Sequence, residues 1–225
     1  MRHLFVALFG LLLGAAAAGV LLYYNPVTDT SAAVPGRADR LLRYSLPDQV
    51  LEFSLGEVAE LLGHSAGDDP LWEDTINRTA VLGLVLNDDV DQPAAIASRL
   101  MAASADTDLL LHGVVVSDYW LVTIPGEGSL FVRAESNVWP FLKRTLVPVW
   151  YFDRPWQGPA EYRPTVGPGP DNTARVLGLS GVFGDQDGSA VERYNVTALD
   201  PVNRSAAVVG ELYLHLPGLQ VAAQD

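Results

Sequence analysis

The sequence predicts an α+β fold: a mostly antiparallel sheet with a few short helices packed on one side, preceded by one N-terminal transmembrane helix. Three observations predict it. Residues Leu4 to Leu22 run 19 positions without a charge or strongly polar group. The C-terminal third alternates apolar and polar residues with the period of two that a half-buried strand requires. Between the strand runs lie short segments with helix start and stop signals.

The N-terminal run comes first. At 1.5 Å rise per residue a 19-residue helix spans roughly 28 Å, the thickness of a hydrocarbon core. Arg2 and the α-amino group precede it, which orients the N-terminus toward the cytoplasm and exports the rest. Tyr23 and Tyr24 follow where an interfacial aromatic belt would sit, and Asn25-Pro26 ends the helix. The competing reading is a signal peptide cleaved near Ala18, with Ala16 and Ala18 as its small residues. That would leave a mature chain starting GVLLYYNP, an awkwardly apolar beginning, so the uncleaved anchor is preferred. Gly10, Gly14 and Ala18 share a face at spacing four, a surface on which two membrane helices could approach closely and the chain could dimerise.

The organisation that follows is an anchor over 1–24, a flexible linker over 25–40, one exported α+β domain over 41–217 and a loose tail over 218–225. The linker, NPVTDTSAAVPGRADR, has little to bury. Within the domain, LLRYSL and QVLEF read as a hairpin about Pro47-Asp48. Ser54 and Glu57 form a capping box for a helix closed by Gly63. An apolar strand follows at Thr79 to Leu86, then a helix from about Pro93 to Ala103 with Ile96 and Leu100 four residues apart and Asp91 near its start. Leu109 to Val116 reads as a strand enclosing His112, and YWLVTI-PGEG-SLFVRAE as a hairpin. Its second arm points Leu130, Val132 and Ala134 one way and Phe131, Arg133 and Glu135 the other. A short helix is expected from Val138 to Leu146, ended by Pro148, then a long irregular Pro/Gly loop over Arg154 to Pro170. The last third is a meander of strands at about Ala174–Phe183, Ala190–Ala198 and Ser205–Leu216.

Composition excludes several function classes. The chain has 225 residues, 14 basic against 27 acidic, a formal net charge of −13 and no cysteine. With Arg2 set aside, the exported part carries 13 basic and 27 acidic residues, a net of −14. An acidic chain with one lysine, Lys143, argues against nucleic-acid partners. Without Cys there are no disulfides, thiol nucleophiles or Cys-ligated metals. His64 sits beside Asp68, Asp69, Glu73 and Asp74, but no second histidine stands at ligand spacing, so neither a metal nor a cofactor is expected. Asp185-Gln186-Asp187-Gly188 fails as a calcium loop because Tyr194 falls where the bidentate Glu belongs; it reads as a turn. No GxSxG, SxxK, P-loop or dinucleotide motif occurs, and no catalytic residue is assigned.

The remaining constellation is aromatic. Trp139, Phe141, Trp150, Tyr151, Phe152, Trp156 and Tyr162 crowd one stretch with Arg154 and Arg163 interleaved. Rigid aromatics beside arginine make good anchors for a protein partner, so Trp139, Trp150, Tyr151, Arg154, Trp156, Tyr162 and Arg163 are the candidate binding residues. The bland alternative is that these rings are buried payload and Trp156 staples the loop down. The Ala, Arg and Gly usage is that of a high-GC bacterium. The expectation is therefore a single-pass inner-membrane protein, anchored through residues 4–22, that displays a periplasmic domain and serves the cell envelope as a binding or accessory factor with a protein partner. The alternatives are a carrier of lipid or another apolar ligand, and a hydrolase with a carboxylate pair acting on an envelope polymer.

Overall fold

A computed structural model describes residues 2–36, 38–46, 79–152, 155–200 and 205–218. The capping-box helix at Ser54–Gly63, the QVLEF strand, His64 with its acidic loop, Arg154 and residues 219–225 of the expected tail lie outside the described residues.

The domain is a closed antiparallel barrel of eight strands, more than a sheet with helices on one side. The wall consists of β1 (Arg40–Ser45), β2 (Thr79–Asn87), β3 (Pro93–Ala103), β4 (Val115–Ile124), β5 (Gly128–Asn137), β8 (Ala174–Gly181), β9 (Asp187–Asp200) and β10 (Ser205–His215). Closure comes from β10, which pairs with β9 on one side and with β1 on the other, so the first and last strands of the domain leave no free edge between them. Two shorter strands lie off the wall: β6 (Trp156–Tyr162) on β9 and β7 (Thr165–Gly167) on β5.

The expected hairpin is β4–β5, paired from Val115↔Asn137 to Ile124↔Gly128, with Leu130, Val132 and Ala134 buried inside. The meander is β8–β9–β10, with Val208, Leu212, Leu214 and Leu216 inward. The turn after β8 falls at residues 182–185, and Asp187 and Gly188 already belong to β9. Two expectations are corrected. Pro93–Ala103 is strand β3, and the turn before it is held by Asp88, whose carboxylate accepts from Val90 N and Gln92 N, so Asp91 belongs to a hairpin and not to a helix start. Its period is two: Ala95, Ala97 and Arg99 point inward while Ile96 and Leu100 point out. Leu109–His112 is an exposed turn closed by the Asp108–Gly113 bridge, and the strand starts only at Val115.

The stretch after β5 is helical in three pieces, here together α2: Trp139–Phe141, a π-helical turn at Leu142–Leu146, and Val147–Phe152. Pro148 does not end it, because the π-turn resets the bonding and puts the proline in the first turn of the last piece. The Pro/Gly stretch expected to be irregular supplies β6 and β7.

Two apolar cores result. The barrel interior is packed by Leu86, Trp120, Val122, Leu130, Val132, Val176, Phe183 and Leu214, among others. A second cluster lies where α2 and β6 cover the far reaches of β9 and β10, joining Leu146, Val149, Tyr162, Val196, Leu199 and Val208.

The N-terminal helix α1 (Arg2–Tyr24) is long and apolar enough to cross a membrane. Phe9, Leu11, Leu12, Leu13, Val20 and Leu21 are all exposed and stand outside both apolar cores. The following segment, which its composition describes as a tether, is seated on the barrel. A 3-10 turn at Pro26–Asp29 is capped by Asn25, Thr28 is buried, Ala32 N donates to Thr165 O at 2.8 Å, and Asp39 N donates to Leu214 O at 2.9 Å. It thus runs down the wall from the end holding the β3–β4 loop and α2 to the end holding the β4–β5 and β8–β9 turns. Ala33 and Pro35 border a small hollow together with Val191, an outward residue of β9 that is nevertheless buried.

Candidate functional site

The aromatic stretch is brought together at the end of the barrel where α1 joins, although its rings have different fates. Tyr162 ends β6 with its ring buried, packing against Phe141 and Tyr194 at centroid distances of 5.7 and 5.4 Å. Its hydroxyl and that of Thr145 share a hydrogen bond, and burial raises its pKa. Trp156 is half-buried in the second core, and its indole donates to Gly158 O at 3.0 Å, stapling β6 to itself. Trp139 is half-buried, and its backbone N–H donates to Asn137 Oδ1. Trp150 lies on the last piece of α2, and Tyr151 beside it is 75% exposed. Arg163 is half-exposed and forks onto Glu161 at 2.7 and 2.9 Å. Burial therefore claims Tyr162 and much of Trp156, while Tyr151 and Arg163 remain on the surface.

Tyr162 and Arg163 line a pocket of about 280 Å³ together with Asp29, Ser31, Asn137, Pro140, Arg144 and Glu161. One wall is the docked linker and the other is α2 with the end of β6. Asp29 joins the walls: its carboxylate meets both Lys143 and Arg144 at 2.5 Å. Asn137 adds a hydrogen bond from its side-chain amide to Thr28 O at 2.6 Å. Arg163 continues into a ladder on the outer wall, where Arg193 lies 3.8 Å from Glu161 and donates to Glu211, which also accepts from Arg43 and from Tyr213. Burial and the hydrogen bond to Glu211 push the Tyr213 hydroxyl up to about 12. Around Glu211, burial works against ionisation but is outweighed by hydrogen bonds from Tyr213 and Arg193, leaving its pKa low. Five cations, Arg43, Lys143, Arg144, Arg163 and Arg193, thus face three acids, Asp29, Glu161 and Glu211. This is a local positive excess on a chain of net charge −13.

A second polar cluster lies inside the barrel between its two cores. Arg99 on β3 donates to Asp118 on β4 through Nε at 3.0 Å and Nη2 at 2.5 Å, and to Glu192 on β9 at 2.9 Å. Its guanidinium lies 4.3 Å over the Trp120 ring. Tyr44 donates to Glu192, Ser136 donates to Asp118, and Thr165 accepts from Glu192 N. All these side chains are buried. Burial raises the pKa of Glu192, with Arg99 the largest opposing influence, and burial also raises that of Tyr44. Strand alternation alone put these groups inward, but nothing in the sequence marks Arg99, Asp118 and Glu192 as partners 19 and 93 residues apart. The carboxylate pair is spent on one guanidinium and does not face a cleft.

On the apolar helix α1, a Cβ added at Gly10 or Gly14 would meet nothing within 4 Å, and Ala18 is exposed, so the small-residue face is uncovered. His215 lies 3.0 Å from Asp39, and His112 is exposed in the loop before β4.

A scan against protein-family models finds no match, and a search of curated proteins likewise finds none. Among solved structures, the Diels Alderase AbmU from Streptomyces koyangensis superposes with a TM-score of 0.37 and 10% identity, over 84% of this chain and 75% of that one. At that level neither fold nor chemistry passes from one protein to the other.

Proposed function

We propose that this is a membrane-anchored binding protein of the bacterial cell envelope, whose barrel is a rigid platform and whose partner protein docks at the cap pocket. One observation carries the reading: the pocket between the docked linker and α2 is walled by two ion pairs, Arg144 with Asp29 and Arg163 with Glu161, and lies at the barrel end where α1 joins. Both arginines are already paired but keep guanidinium surface exposed, at 55% and 47%, which suits an acidic segment of the partner, and the exposed Tyr151 on α2 supplies apolar area. The N-terminus is cytoplasmic and the barrel periplasmic in this reading, following the basic residue before the apolar run. The two alternatives have less support. A carrier needs an apolar cavity, whereas the barrel interior is filled by its own side chains among the described residues. A carboxylate hydrolase needs two acids across an open cleft, whereas Asp118 and Glu192 are enclosed around Arg99.

The test is photocrosslinking in native membranes from a probe replacing Ser31, which lines the pocket. Arg163→Ala and Arg144→Ala are each expected to weaken the crosslinked complex on the order of tenfold, with the circular dichroism spectrum unchanged. An undiminished complex in the double variant would overturn the proposal.

A further inference from the structure

We propose that the loop Leu109–Leu111 is a second membrane contact, dipping its three leucines into the bilayer interface beside α1 and so fixing how the barrel stands on the membrane. The inference rests on α1 remaining in the bilayer.

Three consecutive leucines are exposed here, at 40%, 64% and 57%. Their position decides the partner. Asn25, the residue that follows α1, donates from its side-chain amide to Leu110 O at 2.6 Å, so the leucines lie against the point where α1 leaves its apolar run. Tyr23 and Tyr24 share that level, their rings 5.0 Å apart and edge to face, as amphipathic rings do at a membrane interface. The exposed apolar surface of the loop is therefore continuous with that of the helix.

The loop is also built to enter an interface without stranding its backbone. Asp108 Oδ1 accepts from Leu110 N at 2.8 Å and from Leu111 N at 3.3 Å, and Asp108 O accepts from His112 N and Gly113 N at 2.8 and 2.6 Å. Asp108 thus turns its charge onto the amide donors of the turn, while the leucine side chains point to the outside. Gly113, at φ +77°, lets the loop fold back onto Asn137 and Trp139, where an added Cβ would sit 2.7 and 2.8 Å from their side chains. Because Asp29 and Thr28 are tied to α2 and β5, the helix end cannot swing away from the loop.

The absence of native cysteine makes the test clean. Full-length chains carrying Leu12→Cys, Leu110→Cys or Val182→Cys are labelled with an environment-sensitive fluorophore and reconstituted in phosphatidylcholine vesicles containing nitroxide-labelled lipid. Neutral lipid is chosen so that insertion of an acidic protein reports apolar contact alone. Val182 is exposed in the turn at the opposite barrel end and serves as the dry-land control. The expected result is strong quenching and a blue-shifted emission at 12 and 110, several-fold above position 182, with Asn25→Ala reducing the signal at 110. Quenching at 12 with none at 110 overturns the second contact and leaves the anchor standing. No quenching at either position overturns both.

Discussion

Arg99 is the residue on which the barrel's polar interior depends. Among the described residues its guanidinium is the one cation paired with Asp118 and Glu192, and burial already raises the Glu192 pKa against that pull. Arg99→Met keeps the apolar stem and removes the charge, leaving both carboxylates buried without a counterion. Loss of one partner from a buried ion pair costs about 3–5 kcal/mol. The pH dependence follows from the sign of the shift. A carboxyl whose folded pKa lies above its unfolded value near 4.3 stabilises fully below that value and loses the contribution as pH rises through the folded one. The variant's deficit should therefore be largest at pH 7 and shrink on acidification toward about pH 5, measured by urea unfolding in detergent. An equal deficit at both pH values would show that packing, and not uncompensated charge, governs the site.

Among the elements, β3 explains best what sequence could and could not yield. The hairpin β4–β5 and the meander β8–β10 were legible because their outward residues are polar enough to expose the alternation. In β3 the inward residues are Ala95, Ala97 and Arg99 and the outward ones include Ile96 and Leu100, so apolar character falls on the wrong face and mimics a helical i, i+4 stripe. Small residues are needed inside because Trp120 and Arg99 occupy the space. The same trade appears where β1 faces β10: Tyr44 is opposite Gly210, and its buried ring lies over the glycine. A Cβ at Gly210 would stand 2.0 Å from Tyr44 Cζ. Gly210→Ala should cost about 1–3 kcal/mol through overpacking, and most of that penalty should disappear in a Tyr44→Ala background. Additive losses in the unfolding cycle would refute the steric account. The cap pocket was half legible, since the aromatic cluster is local in sequence, whereas Asp29 meets Lys143 and Arg144 only through the fold.

At the scale of the whole molecule, the chain divides between an exposed apolar helix and a barrel that holds its own core, and the boundary falls inside what composition describes as a linker. Pro, Ser, Thr and Ala have little to bury singly, yet Thr28 and Ala32 are both buried because the barrel wall offers a groove and unpaired backbone acceptors. From Phe9 to Tyr24 every side chain but the half-buried Leu22 is exposed, so on removal of residues 2–24 the barrel should keep its unfolding free energy and strand-rich circular dichroism spectrum. Removing residues 2–32 also takes away Asp29, leaving the buried Lys143 without its partner, along with the Asn137–Thr28 and Ala32–Thr165 hydrogen bonds. Because Asp29 is itself about a quarter exposed, the loss should fall below that of a fully buried pair, at about 2 kcal/mol. Urea unfolding of the two truncations side by side tests this: the longer one should unfold at clearly lower denaturant, and coincident midpoints would return residues 25–32 to the role of a passive tether.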